Sequence, residues 1–382
     1  MPPDPAILLL GSSLTALSVA RVAHDGGYRC LMLDTAAGPA AATRTARFGR
    51  LPAARMESIL EAARQSGLAV AAVVADSDRW LRFVREHRAE LAATGWLVLH
   101  PGAEAIGTCL DKSAFLDWCV RHGLPAPRLY PADLLAARPA EGQFPLMIRP
   151  ELTQHSSNVG LPKAIEVRDA EQLSYWLGRY ASVRVTPNVS DSLLRPGLRQ
   201  FSVGAARDAR GQVRTFLAEK VRPAAEQCAG GTYVRPAECA GIEALAEQAL
   251  HALDFFGVAE VEILHDPACG RSHLIEVNAR PWLQFGLPHR CGTDLLGHAL
   301  GAASARTPAS RKHAWLYFSS DLYACFSRST GLVRTGRLSL GAYLRSILGA
   351  DLFATWAWRD PWPLLAALGR SLAAALRPRR RA

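Results

Sequence analysis

Residues 257–282, GVAEVEILHDPACGRSHLIEVNARPW, carry Glu260 and Glu262, then Glu276, Asn278 and Arg280, each pair one residue apart. Alternation of this kind places the members of a pair on one face of a strand. The intervening DPACGRS supplies Asp, Pro and Gly, the residues of a turn. A hairpin closed symmetrically about that turn sets Glu262 opposite Glu276 and Glu260 opposite Asn278. Cross-strand neighbours lie about 4.5–5.5 Å apart. Two carboxylates at that spacing repel unless a cation sits between them, and a partial set of hard oxygen ligands suits Mg²⁺. Arg280, two residues further on, can reach a phosphate on the same metal. Any one of these acids alone would read as the solvated face of an edge hairpin. The combined spacing favours a site.

The elements around this hairpin follow from apolar runs and their punctuation. AILLL (6–10), RCLMLD (29–34), VAAVVA (70–75) and WLVLH (96–100) read as buried parallel strands. With the helix between the first two they form a βαβ unit. The first turn, GSSLTA, has one Gly where a dinucleotide fingerprint needs three, which argues against NAD or FAD. Ser12, Ser13 and Thr15 on that turn could meet an anion or simply cap the helix. In TCLDKSAFLDWCVRHGLP (108–125), Phe115, Leu116, Cys119 and Val120 give a helical stripe that Gly123 and Pro125 stop. FPLMIRP (144–150) is a strand carrying Arg149, a basic residue that needs a partner if it points inward. Residues 170–180 read as a helix, 182–185 as a strand, and 199–205 with 213–221 as a strand pair around the turn DARG. In that pair Lys220 and Arg222 share a face by alternation. Residues 242–256 form an amphipathic helix.

Composition sets the class. The chain has 382 residues, 49% hydrophobic and 20% charged, so it folds as two or three ordered domains. The net charge of +10 suits anionic partners. Arg fills 40 of the 44 basic positions, and the only lysines are Lys112, Lys163, Lys220 and Lys312. A lysine in such a chain hints that a compact ammonium is wanted. Eight scattered cysteines form no C-x-x-C and fit buried thiols in a reducing cytoplasm. Residues 7–20 are apolar, but no basic residue precedes them, so a first strand and helix fits better than a leader. No run of about 20 apolar residues reads as a transmembrane helix.

The motif E-V-N-A-R-P-W resembles the metal-binding hairpin of the ATP-grasp superfamily, more narrowly its carboxylate–amine ligases of the D-aspartate ligase and carbamoyl-phosphate-synthetase-like kind. Other parts recur in the family's order over residues 105–300: D-K at a helix start, the Arg149 strand, a polar loop, a P-G turn, a basic strand, then E-x-E. The resemblance implies an open α/β domain over residues 1–104, a two-subdomain ATP-grasp domain of α+β character over 105–305, and a mostly helical extension over 306–382. It implies that Glu262, Glu276 and Asn278 hold Mg²⁺ or Mn²⁺ and that Arg280 binds the transferring phosphate. It assigns Lys112 to ATP phosphates, Arg149 to the α-phosphate, and Lys220 and Arg222 to the γ-phosphate and acyl-phosphate. ELTQHSSNVG (151–160) stands where a phosphate-covering loop belongs, with Ser156, Ser157 and Asn158 as donors, though it has only one Gly. The hinge, SLLRPG (192–197), keeps its P-G but has Leu193 where an acid is expected.

The implied activity is an ADP-forming ligase that takes ATP, a small carboxylate and an amine. The Gly-poor loop and missing hinge acid suit an alternative, a degenerate relative that binds nucleotide or a partner without turnover. A nucleic-acid binder is disfavoured, because the basic residues are spread along the chain and no stacking motif accompanies them. Residues 371–381 form a basic amphipathic helix ending in RPRRR that could meet an anionic membrane or dock on the protein with a solvated end. Oligomeric state and substrate identity stay open.

Overall fold

The computed structural model describes residues 5–131, 144–151, 159–223, 230–302, 312–328 and 331–375, with side chains through 369. The N-terminal part alternates strand and helix: β1 (Ala6–Leu10), α1 (Leu14–Asp25), β2 (Arg29–Asp34), β3 (Arg47–Arg50), α2 (Met56–Ser66), β4 (Val70–Ala75), α3 (Asp78–Glu86), α4 (Arg88–Ala93) and β5 (Leu97–Val98). Its sheet is parallel, in the order β3-β2-β1-β4-β5. The uniformly buried β1 has apolar residues at every position, as a strand covered on both faces requires.

The central part begins with α5 (Ala103–Leu110), α6 (Lys112–Arg121), β6 (Leu129–Tyr130), β7 (Leu146–Pro150), β8 (Ile165–Val167), α7 (Ala170–Ser182) and β9 (Pro187–Asp191). The four strands form a small antiparallel sheet in the order β6-β9-β7-β8. The expected strand over 182–185 is absent. The helix runs to Ser182, Arg184 takes a left-handed φ of 55°, and Val185 N–H closes back on the Tyr180 carbonyl at 3.1 Å. The strand starts two residues later, at Pro187.

Then come β10 (Arg199–Arg207), β11 (Val213–Pro223), β12 (Gly231–Pro236), α8 (Ile242–Ala252), β13 (Gly257–Asp266), β14 (Arg271–Asn278), α9 (Gly286–Arg290) and α10 (Leu295–Ala299). The remaining elements are β15 (Trp315–Leu316), α11 (Phe318–Phe326), α12 (Leu340–Leu348), β16 (Leu352–Phe353) and α13 (Trp362–Ala375). They do not stand apart. β15 pairs with β12 and β16 with β15, completing a seven-stranded sheet in the order β14-β13-β10-β11-β12-β15-β16.

One core joins Leu8, Val73 and Trp80 of the N-terminal part to Phe201, Val261 and Leu274 of the large sheet. A second joins Leu9 and Val74 to Trp282 and Phe285. The junction is tight at Gly257, whose φ is 97° and where a Cβ would run into the Leu99 carbonyl. Only Gly combines that backbone with that approach. No described helix is long and apolar enough to cross a membrane.

Candidate active site

The hairpin has the expected register: Glu262 pairs with Glu276 and Glu260 with Asn278. A bulge just past Glu262 leaves Ile275 between the two ladders. Antiparallel pairing with β10 sets Ser202 beside Glu262 and Gly204 beside Glu260. The acidic face of the hairpin therefore continues across β10 to Lys220 on β11. It forms one wall of a cavity of about 340 Å³, in the range of small-molecule sites.

Lys220 lies at the centre of that wall, its side chain 2% exposed. Its ammonium is 2.7 Å from a Glu262 oxygen and 3.0 Å from a Glu260 oxygen. Burial works against this charge, but the two carboxylates overcome it and raise the lysine pKa. Glu260 also accepts from Ser202 Oγ at 2.6 Å and Asn278 Nδ2 at 3.1 Å, while Glu262 accepts from Gln200 Nε2 at 3.1 Å. Glu260 thus fixes both a lysine and the amide proposed as a metal ligand.

Other elements bring further charge. Asp111 caps α6, accepting from Ser113 N–H and Ala114 N–H at 2.9 Å each. That start places Lys112 in the cavity wall, 3.9 Å from Glu276. β7 delivers the buried Arg149 to the same cavity. Arg280 leaves β14 and meets Asp78, the first residue of α3, at 2.7 Å. Burial disfavours both charges here, yet the pairing raises the Arg280 pKa and lowers that of Asp78. His100, fully buried, accepts from Ala75 N–H at 2.7 Å and donates through Nδ1 to the Ala279 carbonyl at 2.9 Å. It pins the segment that carries Arg280 to the end of β4.

The structure thus brings together Glu262, Glu276, Asn278, Arg280, Lys220, Lys112 and Arg149. It does not bring Arg222. The expected shared face for Lys220 and Arg222 is corrected by a break in the β11–β12 register at that point. Arg222 turns to the extension and grips Asp321 of α11 through Nε at 2.7 Å and Nη2 at 2.9 Å. Its Nη1 donates to Ser346 of α12. Ser156, Ser157 and Asn158 lie outside the described residues. Ser13 caps α1, accepting from Thr15 N–H, while Thr15 lines the cavity. Asp191, near the hinge, is committed to Tyr130 at 2.8 Å, and among the described residues none of 191–197 lines the cavity.

Sequence reasoning missed Lys163, Asp78, Gln200 and Gln284, all in the cavity wall. A signal for Lys163 existed: three of the chain's four lysines converge here. Asp78 gave none, because its partner is 202 residues away. The cavity wall holds five cations (Lys112, Arg149, Lys163, Lys220 and Arg280) against four carboxylates (Asp78, Glu260, Glu262 and Glu276), which suits a polyanion delivered with a cation. Among the described residues no three His, Cys, Asp or Glu side chains cluster as a ready metal site. Lys220 stands in the place of a cation there, its ammonium neutralising Glu260 and Glu262.

No protein-family model matches the sequence, and no curated protein does. Solved structures do match in shape. The chain shares the ATP-grasp fold of N5-carboxyaminoimidazole ribonucleotide synthetases and biotin carboxylases. An ADP complex of N5-carboxyaminoimidazole ribonucleotide synthetase aligns at a TM-score of 0.63 with 15% identity, over 81% of this chain and 80% of that one. The same enzyme from Thermus thermophilus aligns at 0.60 with 18% identity, over 79% and 80%. The biotin carboxylase domain of Hydrogenobacter thermophilus 2-oxoglutarate carboxylase, solved with MgADP, ADP and bicarbonate, aligns at 0.61 with 13% identity, over 80% and 71%.

Proposed function

We propose that this protein is an ATP-dependent, ADP-forming ligase that activates a small carboxylate as an acyl-phosphate and couples it to an amine. The observation that carries this reading is the convergence of Lys112, Lys220 and Arg280 on the paired carboxylates Glu262 and Glu276 in one cavity. The solved neighbours include complexes with ADP and with MgADP, which supports ATP and a divalent ion as the cosubstrate and cofactor here.

Glu262, Glu276 and Asn278 would hold Mg²⁺ or Mn²⁺, since their oxygens are the hard donors such ions prefer. The ion, when bound, neutralises charge on the β- and γ-phosphates. Arg280 offers a guanidinium for the phosphate in transfer, Lys112 an ammonium at a helix start, and Arg149 a buried cation on the opposite sheet. Lys220 holds Glu260 and Glu262 in place and carries positive charge towards the reacting centre. In the overall step, a substrate carboxylate takes the γ-phosphoryl group and ADP leaves. The amine then displaces phosphate to form the amide. Positioning and electrostatics do this work, and no protein nucleophile is required.

A second reading, nucleotide binding without turnover, is favoured by one feature: the Lys220 ammonium already sits against Glu262. Thermal unfolding of wild type and Glu276→Ala, with and without Mg-ATP, separates binding from its absence. At ligand 100 times Kd the stabilisation is about 2.7 kcal/mol, a rise of roughly 5–10 °C for domains of this size. A metal-dependent rise in wild type alone supports the hairpin as the ligand site. ADP release on adding carboxylate and amine pairs then decides for the ligase. The absence of any shift at millimolar nucleotide defeats both readings.

A further inference from the structure

The net charge of this protein is confined to its last fifth. Residues 1–305 hold 31 Arg and Lys against 31 Asp and Glu, whereas residues 306–382 hold 13 against 3. Basic residues occur throughout, but summed over residues 1–305 the acids balance them. The few acids there are also paired within the fold. Asp321 is fully buried on Arg222, Asp360 is buried on Arg21, and Asp351 is held by His313 and Arg290. Arg328, Arg334, Arg345 and Arg359 stand exposed.

The same segment exposes apolar side chains. Ten of the fourteen large hydrophobic residues exposed among the described residues lie between 318 and 368. On α12 they fall at a spacing of four: Leu340 is 54% exposed, Leu344 50% and Leu348 85%. That spacing makes one stripe along the helix. On α11, Phe318, Leu322 and Tyr323 are exposed likewise. The two helices are fastened from beneath: Arg222 binds Asp321 of α11 and Ser346 of α12, and Phe326 stacks edge-on against Tyr343 with ring centroids 5.0 Å apart. The exposed leucine and aromatic side chains of these anchored helices, with the exposed Arg334 and Arg345, are termed the platform.

We infer that this platform is a docking surface for an anionic lipid bilayer. An apolar stripe flanked by arginine is the pattern of a helix lying in a membrane interface, and unbalanced positive charge is what the negative surface potential of anionic lipids attracts. A second copy of the chain would meet the platform with the same excess positive charge, which repels it. The inference is independent of the activity proposed above.

Flotation of the full chain with vesicles tests it. Phosphatidylcholine vesicles are compared with vesicles that also contain phosphatidylglycerol, at low and high salt. Wild type is expected to float with the anionic vesicles at least roughly tenfold better than with neutral ones, and to lose that preference at high salt. The triple variant Leu340→Ser, Leu344→Ser, Leu348→Ser and the triple variant Arg334→Gln, Arg337→Gln, Arg345→Gln are each expected to lose it as well. All six positions are on the surface, and an unchanged melting temperature confirms that each variant is folded. Equal partition to both vesicle types, partition to neither, or wild-type partition by the folded variants overturns the inference. So does sedimentation showing that wild type dimerises and the leucine variant does not.

Discussion

Arg280 Nε lies 2.7 Å from Asp78 Oδ1, an ion pair between the exit of the β13–β14 hairpin and the first turn of α3. Under the proposed function a ligand phosphate and Asp78 would share one guanidinium. Removing Arg280 as alanine leaves Asp78 without its counter-charge and should cost on the order of 3 kcal/mol of stability. Asp78→Asn should cost less and free the guanidinium. Denaturant titration of both single variants and the double variant measures the coupling. Because the pairing lowers the Asp78 pKa, its contribution is present above the ordinary carboxylate range and lost as pH falls below about 4.

Lys220→Ala strands Glu260 and Glu262 in a buried site without a cation. The variant should lose about 3–5 kcal/mol, and millimolar Mg²⁺ should raise its melting temperature more than that of wild type. A variant indifferent to Mg²⁺ would remove these carboxylates from consideration as a cation site. In wild type the raised lysine pKa makes the contribution full below about 10.5 and lost only at higher pH.

Arg222 and Asp321 should behave as a structural pair. Arg222→Ala leaves a fully buried carboxylate and is expected to cost about 3–5 kcal/mol, while Arg222→Met with Asp321→Leu should recover most of it. If nucleotide binding survives in that stable double variant, Arg222 has no part in the site. Its loss there, with the fold intact by circular dichroism, would return Arg222 to the catalytic set.

His100 gives the protein an acid-sensitive joint. Burial, aided by Arg88 and Arg280 and opposed by the Ala279 carbonyl, lowers its folded-state pKa from 6.5 to about 4. Between those values the unfolded chain binds a proton that the folded one refuses. Stability should fall by on the order of 3 kcal/mol as pH drops through that window. His100→Gln keeps an acceptor for Ala75 N–H and should flatten the dependence, at a cost of about 1 kcal/mol for the lost bond to Ala279. Unfolding midpoints measured from pH 7 to 4 in both proteins provide the check.

Gly204 is mid-strand, and a Cβ there would meet the Trp282 ring. Gly204→Val should push the indole into the cavity, which Trp282 and Gln284 also line. The expected result is a loss of about 1–3 kcal/mol from overpacking together with weaker nucleotide binding, read by the Mg-ATP thermal shift.

The sequence by itself determined what depends on a few neighbouring residues. Alternation around a DPACGRS turn was enough to set Glu262 against Glu276, because strand side chains have a period of two and the turn sets the register. An Asp before Lys112 marked a helix start, since a capping carboxylate satisfies amides just two and three residues on. Scarcity of lysine pointed at Lys112 and Lys220, and would have pointed at Lys163 too. Tertiary structure alone decided the rest. A break in the β11–β12 ladder, invisible in an alternating sequence, sent Arg222 to Asp321 and away from Lys220. Asp78 reached Arg280, and His100 reached Ala279, across intervals of 202 and 179 residues. No local pattern encodes such pairs, because they form only when two sheets with separate hydrophobic faces close on one core. The leucine stripe of α12 likewise gained meaning from packing. Periodicity shows that Leu340, Leu344 and Leu348 share a face, but only the anchored positions of Asp321, Tyr343 and Ser346 show that this face is turned outward.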